Sequence, residues 1–192
     1  MVHDEEELEM VEYDAVVLAG GAAKRLGGAD KPGLDFGGRT ALDRVLDAVE
    51  GAEHTVVVGP ARTTDRCVTW VRENPPGAGP VAALRHGLAY ATADRVVVLA
   101  ADVPLVDRGT VERLVAAAEG HDGAVLCDGR HEQFLLAVYD HDRLAANVAP
   151  LPASASLRRA VTGLDLVKVT DDNGASLDCD TWDQVEQVRQ RL

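Results

Sequence analysis

Apolar positions along this chain come in short blocks separated by glycine- and proline-bearing breaks, and the blocks alternate in period. Asp14 to Ala19 reads as a buried strand that stops at Gly20-Gly21. Leu34 to Phe36 is a short extended piece. Thr40 to Val49 carries Leu42, Val45, Leu46 and Val49 at helical spacing. His54 to Val58 is a second buried strand, closed by Gly59-Pro60, and Val68 to Val71 predicts a third. Between Asn74 and Pro80, three prolines and two glycines exclude helix and inner strand alike, so this stretch is a loop, with a helix expected from Val81 to about Ala91. Arg95 to Ala100 is the most apolar strand and runs straight into Asp102-Val103-Pro104. The pattern then predicts a helix over 107–119, strands over 123–127 and 134–139, and helices near Leu144 and Leu157. A strand over 165–169 and a last helix over 181–192 complete it.

Strands that alternate with helices and are apolar throughout need cover on both faces. The expected fold class is α/β: a three-layer α/β/α sandwich around a mostly parallel, doubly wound, Rossmann-like sheet. Such open sheets bind ligands at the carboxyl ends of their strands. The length, 192 residues, suits one domain over residues 13–192 behind an acidic leader over 1–12.

Composition changes the picture mainly through charge. Acidic residues number 32 against 19 basic ones, a net charge of -13, so nucleic acid and anionic membrane surfaces are excluded as general partners. Only Lys24, Lys31 and Lys168 are lysines. Carboxylate-rich, lysine-poor surfaces suit a salt-rich, halophilic cytoplasm, where the screening length falls to about 3 Å at 1 M; a merely acidic protein of ordinary habitat is the competing reading. Cys67, Cys127 and Cys179 lie far apart without metal or redox spacing, so buried free thiols are expected. The acidic start lacks the layout of a secretory signal, and no apolar run approaches the ~20 residues of a membrane span. The expectation is a soluble, cytoplasmic protein.

Chemistry concentrates first in Leu18-Ala19-Gly20-Gly21-Ala22-Ala23-Lys24-Arg25-Leu26-Gly27-Gly28-Ala29-Asp30-Lys31. A strand end passes into a glycine-rich loop whose backbone N–H groups can approach an anion unhindered. Arg25 offers a planar fork to phosphate oxygens and Lys31 a compact point charge. Two of the three lysines lie in this loop, which solvation of the surface does not explain. Neither G-x-x-x-x-G-K-[ST] nor a helix-opening G-x-G-x-x-G is present, which argues against a P-loop ATPase and a nicotinamide-dependent oxidoreductase. Asp102, at the end of the most apolar strand, is well situated for Mg²⁺, which takes one or two carboxylates plus phosphate oxygens. The bland alternative is a helix cap, a job that Asp107 fits better.

The pattern L-A-G-G-x-x-x-R-x-G-G-x-D-K resembles the signature of glycosyltransferase-A-like nucleotidyltransferases, and most of all that of the molybdenum cofactor guanylyltransferases. The resemblance implies a loop that wraps a nucleoside triphosphate, with roles falling on Leu18, Ala19, Gly20, Gly21, Arg25 and Lys31. It implies Asp102 as principal metal ligand and Mg²⁺ as cofactor. The loop from Asn74 to Pro80 resembles the family's P-G-x-G-P stretch beside the nucleotide, with Asn74 where the family often has Asp. Val57-Val58-Gly59-Pro60 lacks the Asn that the family often has after the second strand. Asp178-Cys179-Asp180-Thr181 resembles N/D-x-N/D-T-P-E-D, with Trp182 in place of proline; Asp178 and Asp180 either complete the metal site or touch the acceptor, and the alternative is that Asp180 or Thr181 simply caps the last helix. Gln133 to Tyr139 and Ser156 to Ala160 extend the likeness, although by residue type alone they are a core strand and an amphipathic helix.

The implied reaction transfers GMP from GTP to the phosphate of molybdenum-molybdopterin, with Arg25, Lys31 and Asp102 as catalytic residues. Molybdoenzymes or their chaperones are then possible receivers of the product. Three alternatives stay open: CTP with the same acceptor, GTP with adenosylcobinamide phosphate, and a non-catalytic nucleotide-binding module. The histidines, including His54, His86, His121 and His131, form no ligand or triad spacing and are expected to be solvated or satisfied locally.

Overall fold

Tyr13–Leu18, six consecutive buried residues, form β1, and its burial on both sides requires the layered architecture around it. The computed structural model describes residues 11–21, 26–129 and 131–192. The acidic leader lies outside these except for Val11 and Glu12, and Arg25 and Lys24 also lie outside them. The elements are β1, α1 (Ala41–Ala48), β2 (Thr55–Val58), β3 (Thr69–Val71), α2 (Pro80–Leu88), β4 (Arg95–Ala100), α3 (Arg108–Ala117), β5 (Gly123–Cys127), β6 (Glu132–Asp140), α4 (His141–Val148), α5 (Leu157–Ala160), β7 (Leu166–Thr170) and α6 (Trp182–Arg189). No described helix is long and apolar enough to cross a membrane.

The strands make one seven-stranded sheet in the order β3-β2-β1-β4-β6-β5-β7. All neighbours pair in parallel except β6, which runs against both β4 and β5. The reason lies in the connection 128–131, far too short for the crossover that a parallel pair needs. Asp128 N–H donates to His131 O at 3.3 Å and closes the hairpin.

Alternate residues of β1 serve the two faces. Ala15 and Val17 pack with Leu42, Val45 and Leu46 of α1 and Val111 and Leu114 of α3. Val16 and Leu18 pack with Val81, Leu84 and Leu88 of α2 and Leu144 and Val148 of α4. Burying each such valine or leucine contributes roughly 1.5–3 kcal/mol. Close approach of α2 depends on Gly87, where an added Cβ would lie 2.5 Å from Val16 Cγ1 and 2.9 Å from Val58 Cγ2. The α2 helix, expected to reach Ala91, stops at Leu88 because the Tyr90 and Ala91 N–H groups turn to Gly87 O and Leu88 O, three residues back.

Of the cysteines only Cys179 is buried; Cys127 is partly exposed and Cys67 exposed, which corrects the expectation of three buried thiols. One buried charge was not anticipated. Asp14, fully buried in β1, accepts from the N–H groups of His54 (3.0 Å), Thr92 (2.6 Å) and Ala93 (3.0 Å), and its Oδ1 lies 3.2 Å from His54 Nδ1. This binds the amino ends of three strands together, at the edge opposite the site described next. Two further histidines are met locally: His121 Nδ1 lies 2.8 Å from Asp165 Oδ2 and His141 Nε2 lies 3.1 Å from Leu88 O.

Candidate active site

The order of the central strands sets the location. With β2 on one side of β1 and β4 on the other, the β1–β4 junction is where the chain's winding reverses, the position at which open sheets of this kind take their ligands. Leu18 pairs with Ala100, and Ala101 N–H donates to Leu18 O at 3.0 Å, so the glycine-rich loop and Asp102 leave from adjacent strand ends. A third segment comes from far along the chain. Cys179 N–H donates to Asp102 O at 3.0 Å, while the Cys179 side chain packs among Leu26, Phe36, Ala41, Val185 and Val188. That small cluster fastens the end of the glycine-rich loop, the start of α1 and the buried face of α6 to each other. Burial, with Asp102 and Asp178 close by, pushes the Cys179 thiol up to about 12, so it is a packing group rather than a nucleophile.

Lys31 stands at the centre. It opens a 3-10 turn, Lys31–Gly33, with Pro32 inside the first turn where its missing N–H costs no bond. Its ammonium donates to Asp102 Oδ2 at 3.2 Å and to Asp180 Oδ1. Lys31 is only 17% exposed, and burial alone would lower its pKa; the bonds to Asp180 and Asp102 outweigh burial and raise it, so the charge is fixed. Asp178 behaves oppositely. Burial first, then the nearby charges of Asp180 and Asp102, raise its pKa, and it accepts a 2.6 Å hydrogen bond from Gln184 Nε2.

The two roles weighed for the Asp178–Thr181 segment fall on different residues. Thr181 caps α6, its hydroxyl accepting from Gln184 N–H at 3.3 Å, and this leaves Asp180 to meet Lys31. Asp107 caps α3 through Thr110 N–H at 2.8 Å, leaving Asp102 free of that duty.

The donor set also bears on a metal. Among the described residues no group of three or more His, Cys, Asp or Glu side chains is arranged to hold one. Asp102 and Asp180 nevertheless converge on a single cation, the Lys31 ammonium, while Asp178 is engaged with Gln184. Two hard carboxylates are the donor type that Mg²⁺ or Mn²⁺ takes when a substrate supplies further oxygens, so the residues fit such an ion.

Around this centre, Gly20 and Gly21 are exposed, and a Cβ built on either would meet nothing within 4 Å. Their lack of side chains therefore leaves space on the crevice side rather than serving packing within the protein. Gly59 is different: at φ +154°, its Cβ would lie 2.7 Å from Ala19 O. A side chain there would push on the start of the glycine-rich loop. Asn74 is exposed in the loop after β3, the edge strand, and makes no hydrogen bond among the described residues. It shares the ligand edge of the sheet but is not joined to Lys31. Arg62, which the sequence did not single out, is bound to both ends of the glycine-rich loop.

A family model described as the MobA-like NTP transferase domain matches residues 15–169. A molybdenum cofactor guanylyltransferase of Bradyrhizobium sp. (strain ORS 278) is 34% identical over 167 residues, 81% of this chain and 74% of that protein. A nucleotidyl transferase from Methanothermobacter thermautotroptrophicus has a similar fold, with a TM-score of 0.82 at 22% identity, covering 93% of this chain and 96% of that one. A Mycobacterium tuberculosis protein solved in complex with manganese has a TM-score of 0.76 at 19% identity, covering 94% of this chain and all of its own.

Proposed function

Because the chain belongs to the MobA-like NTP transferase family and is a nucleotidyltransferase, we propose that it transfers GMP from GTP to the terminal phosphate of molybdenum-molybdopterin, releasing pyrophosphate. The observation that carries this reading is the meeting of Lys31 with Asp102 and Asp180 at the carboxyl ends of β1 and β4. The name of the Bradyrhizobium relative supports guanine as the base and molybdopterin as the acceptor.

In this reading the loop after Leu18 receives the triphosphate on backbone N–H groups around Gly20 and Gly21, and Lys31 carries its charge against the phosphates. Arg25 would add a second cation there. An acceptor phosphate oxygen forms a bond to the α-phosphorus as the bond to the β-phosphate oxygen breaks, and pyrophosphate departs with that electron pair. The attacking phosphate is already ionised near neutral pH, so the protein supplies no strong base. Its contribution is positioning and fixed charge, the main resources in phosphoryl transfer. Asp102 and Asp180 would hold Mg²⁺, which when bound supplies further neutralisation of phosphate charge. The manganese complex of the mycobacterial structure supports a divalent ion in this fold.

The experiment is pyrophosphate release with Mg²⁺, each NTP being tested with and without molybdopterin. Release requiring both GTP and molybdopterin supports the assignment. A requirement for CTP instead overturns the base, and turnover only with adenosylcobinamide phosphate overturns the acceptor. Silence with every pair leaves a nucleotide-binding module.

A further inference from the structure

Arg62 lies in the loop after β2, outside every motif that singles out this site, yet each nitrogen of its guanidinium donates to the glycine-rich loop or to its own turn. Nε donates to both Asp30 carboxylate oxygens, at 3.1 and 2.9 Å, and Nη2 donates to Asp30 Oδ1 at 2.6 Å. Nη1 donates to Ala19 O at 3.2 Å and to Pro60 O at 2.8 Å. Ala19 is the last residue before the loop's first glycine, and Asp30 is the last before Lys31. One side chain thus ties the two stems of the loop together, from an arm that is itself 18% exposed.

Neighbouring residues are shaped for this strap. Gly59 lets the end of β2 come against Ala19, which brings Arg62 within reach of the Ala19 carbonyl. Gly33 lies under the Asp30 carboxylate, where a Cβ would meet Oδ2 at 2.6 Å. Asp30 O accepts from Gly33 N–H at 3.0 Å, so the position of Asp30 is transmitted directly into the turn that begins with Lys31. The hydrogen bond from Arg62 also holds the Asp30 carboxyl below its ordinary range, keeping it ionised for the fork.

We propose that Arg62 is a positioning residue for the nucleotide. It acts through the protein groups that its three guanidinium nitrogens hold, Asp30, Ala19 and Pro60, and so sets the span of the glycine-rich loop and, through Asp30, the place of Lys31. A bidentate fork resists rotation in a way that a point charge does not, so lysine replaces the charge but only part of the restraint. The inference rests on the nucleotidyl-transfer reading, because it concerns where that reaction's triphosphate is held.

The test uses the full chain as wild type, Arg62→Ala, Arg62→Lys, Asp30→Asn and the double variant Arg62→Ala/Asp30→Asn. Dissociation constants for Mg·GTP, KM for GTP and for acceptor, and kcat are measured, with melting curves to establish folding. Misplacement of the loop by about 1 Å is expected to weaken Mg·GTP binding and raise its KM by about ten- to a hundredfold in Arg62→Ala. The acceptor KM should stay within about twofold, and Arg62→Lys should recover part of the loss. The double variant should be no worse than Arg62→Ala, as expected of partners in one interaction. Wild-type affinity for Mg·GTP in a folded Arg62→Ala overturns the proposal, as does an equal rise in both KM values. If Arg62→Ala does not fold, undiminished GTP affinity in both Arg62→Lys and Asp30→Asn overturns it instead. A wild-type protein that binds no nucleotide overturns the functional reading itself, and this inference with it.

Discussion

Lys31 Nζ lies 3.2 Å from Asp102 Oδ2 and is bonded as well to Asp180, so one ammonium joins carboxylates 71 and 149 residues further along the chain. Its charge serves the fold and the proposed chemistry together. Losing one fixed charge-stabilising donor of this kind slows turnover by about 10²–10³-fold, and this is the loss in kcat expected for Lys31→Ala. Asp102→Ala should abolish pyrophosphate release at saturating Mg²⁺. Near-normal turnover of a folded Asp102→Ala would remove that residue from the site.

Much of this arrangement was legible beforehand. The strands and helices fall within a few residues of the boundaries that periodicity gives, because the central strands β1, β2 and β4, and β5 with them, are buried on both faces and so largely apolar. The direction of β6 could have been read from the length of the 128–131 connection, which no crossover can span. Lys31, Asp102 and Asp180 come together as their pattern suggests, whereas Asn74 stands apart on the loop after the edge strand. Arg62 was not legible: its partner Asp30 is 32 residues away, and no periodicity relates an arginine in one loop to an aspartate in another. Asp14 gave a signal that went unread, an acidic residue opening an otherwise apolar strand.

That buried aspartate should matter for stability and not for turnover. Asp14→Ala would remove the charged acceptor of the His54, Thr92 and Ala93 N–H groups, and a hydrogen bond to a charged group contributes about 1.5–3 kcal/mol. Burial alone would raise the Asp14 pKa, but those N–H groups and the His54 side chain outweigh it and lower it. A carboxylate lowered on folding contributes stability that is fully present above its unfolded pKa, about 3.9, and is lost as pH falls through the folded value. Denaturant titrations of wild type and Asp14→Asn from pH 7 downward should therefore converge in acid. Parallel curves would show that the Asp14 charge contributes nothing.

Asp178 carries the opposite sign. Burial and then the charges of Asp180 and Asp102 raise its pKa, so it binds protons more readily folded than unfolded. The stabilising effect of that proton is present below the unfolded pKa and disappears as pH rises through the folded one. Asp178→Asn keeps an acceptor for Gln184 and removes the repulsion, so it should melt higher than wild type at pH 7 and no higher in acid. A lower melting temperature at pH 7 would mean that the charge is matched by a favourable partner.

Two helix caps separate local stability from the site. Thr40 caps α1 in a reciprocal box with Asp43, and Thr181 caps α6 directly after Asp180. Either threonine replaced by alanine should cost about 1 kcal/mol. Only Thr181→Ala loosens the segment that brings Asp180 to Lys31, so it should lower kcat at temperatures where both variants are fully folded. Equal kcat values would show that the bond from Cys179 N–H to Asp102 O holds Asp180 without help from α6.

The net charge of -13 sets two salt effects against each other. Raising salt from 0.1 to 1 M shortens the screening length from about 10 to about 3 Å, which relieves repulsion among exposed carboxylates such as Asp142, Asp165 and Asp172. The same screening weakens exposed pairs such as Arg108–Glu112 and Arg113–Asp172. Pairs of that kind contribute only about 0–1 kcal/mol each, and the excess of 32 acidic over 19 basic residues leaves many carboxylates with no cation to lose. Relief of repulsion should therefore win, and the melting temperature should rise by several degrees in KCl between these concentrations. A flat or falling profile would sink the expectation of a salt-rich habitat, because the surface would then gain as much from its ion pairs as it loses to its excess charge.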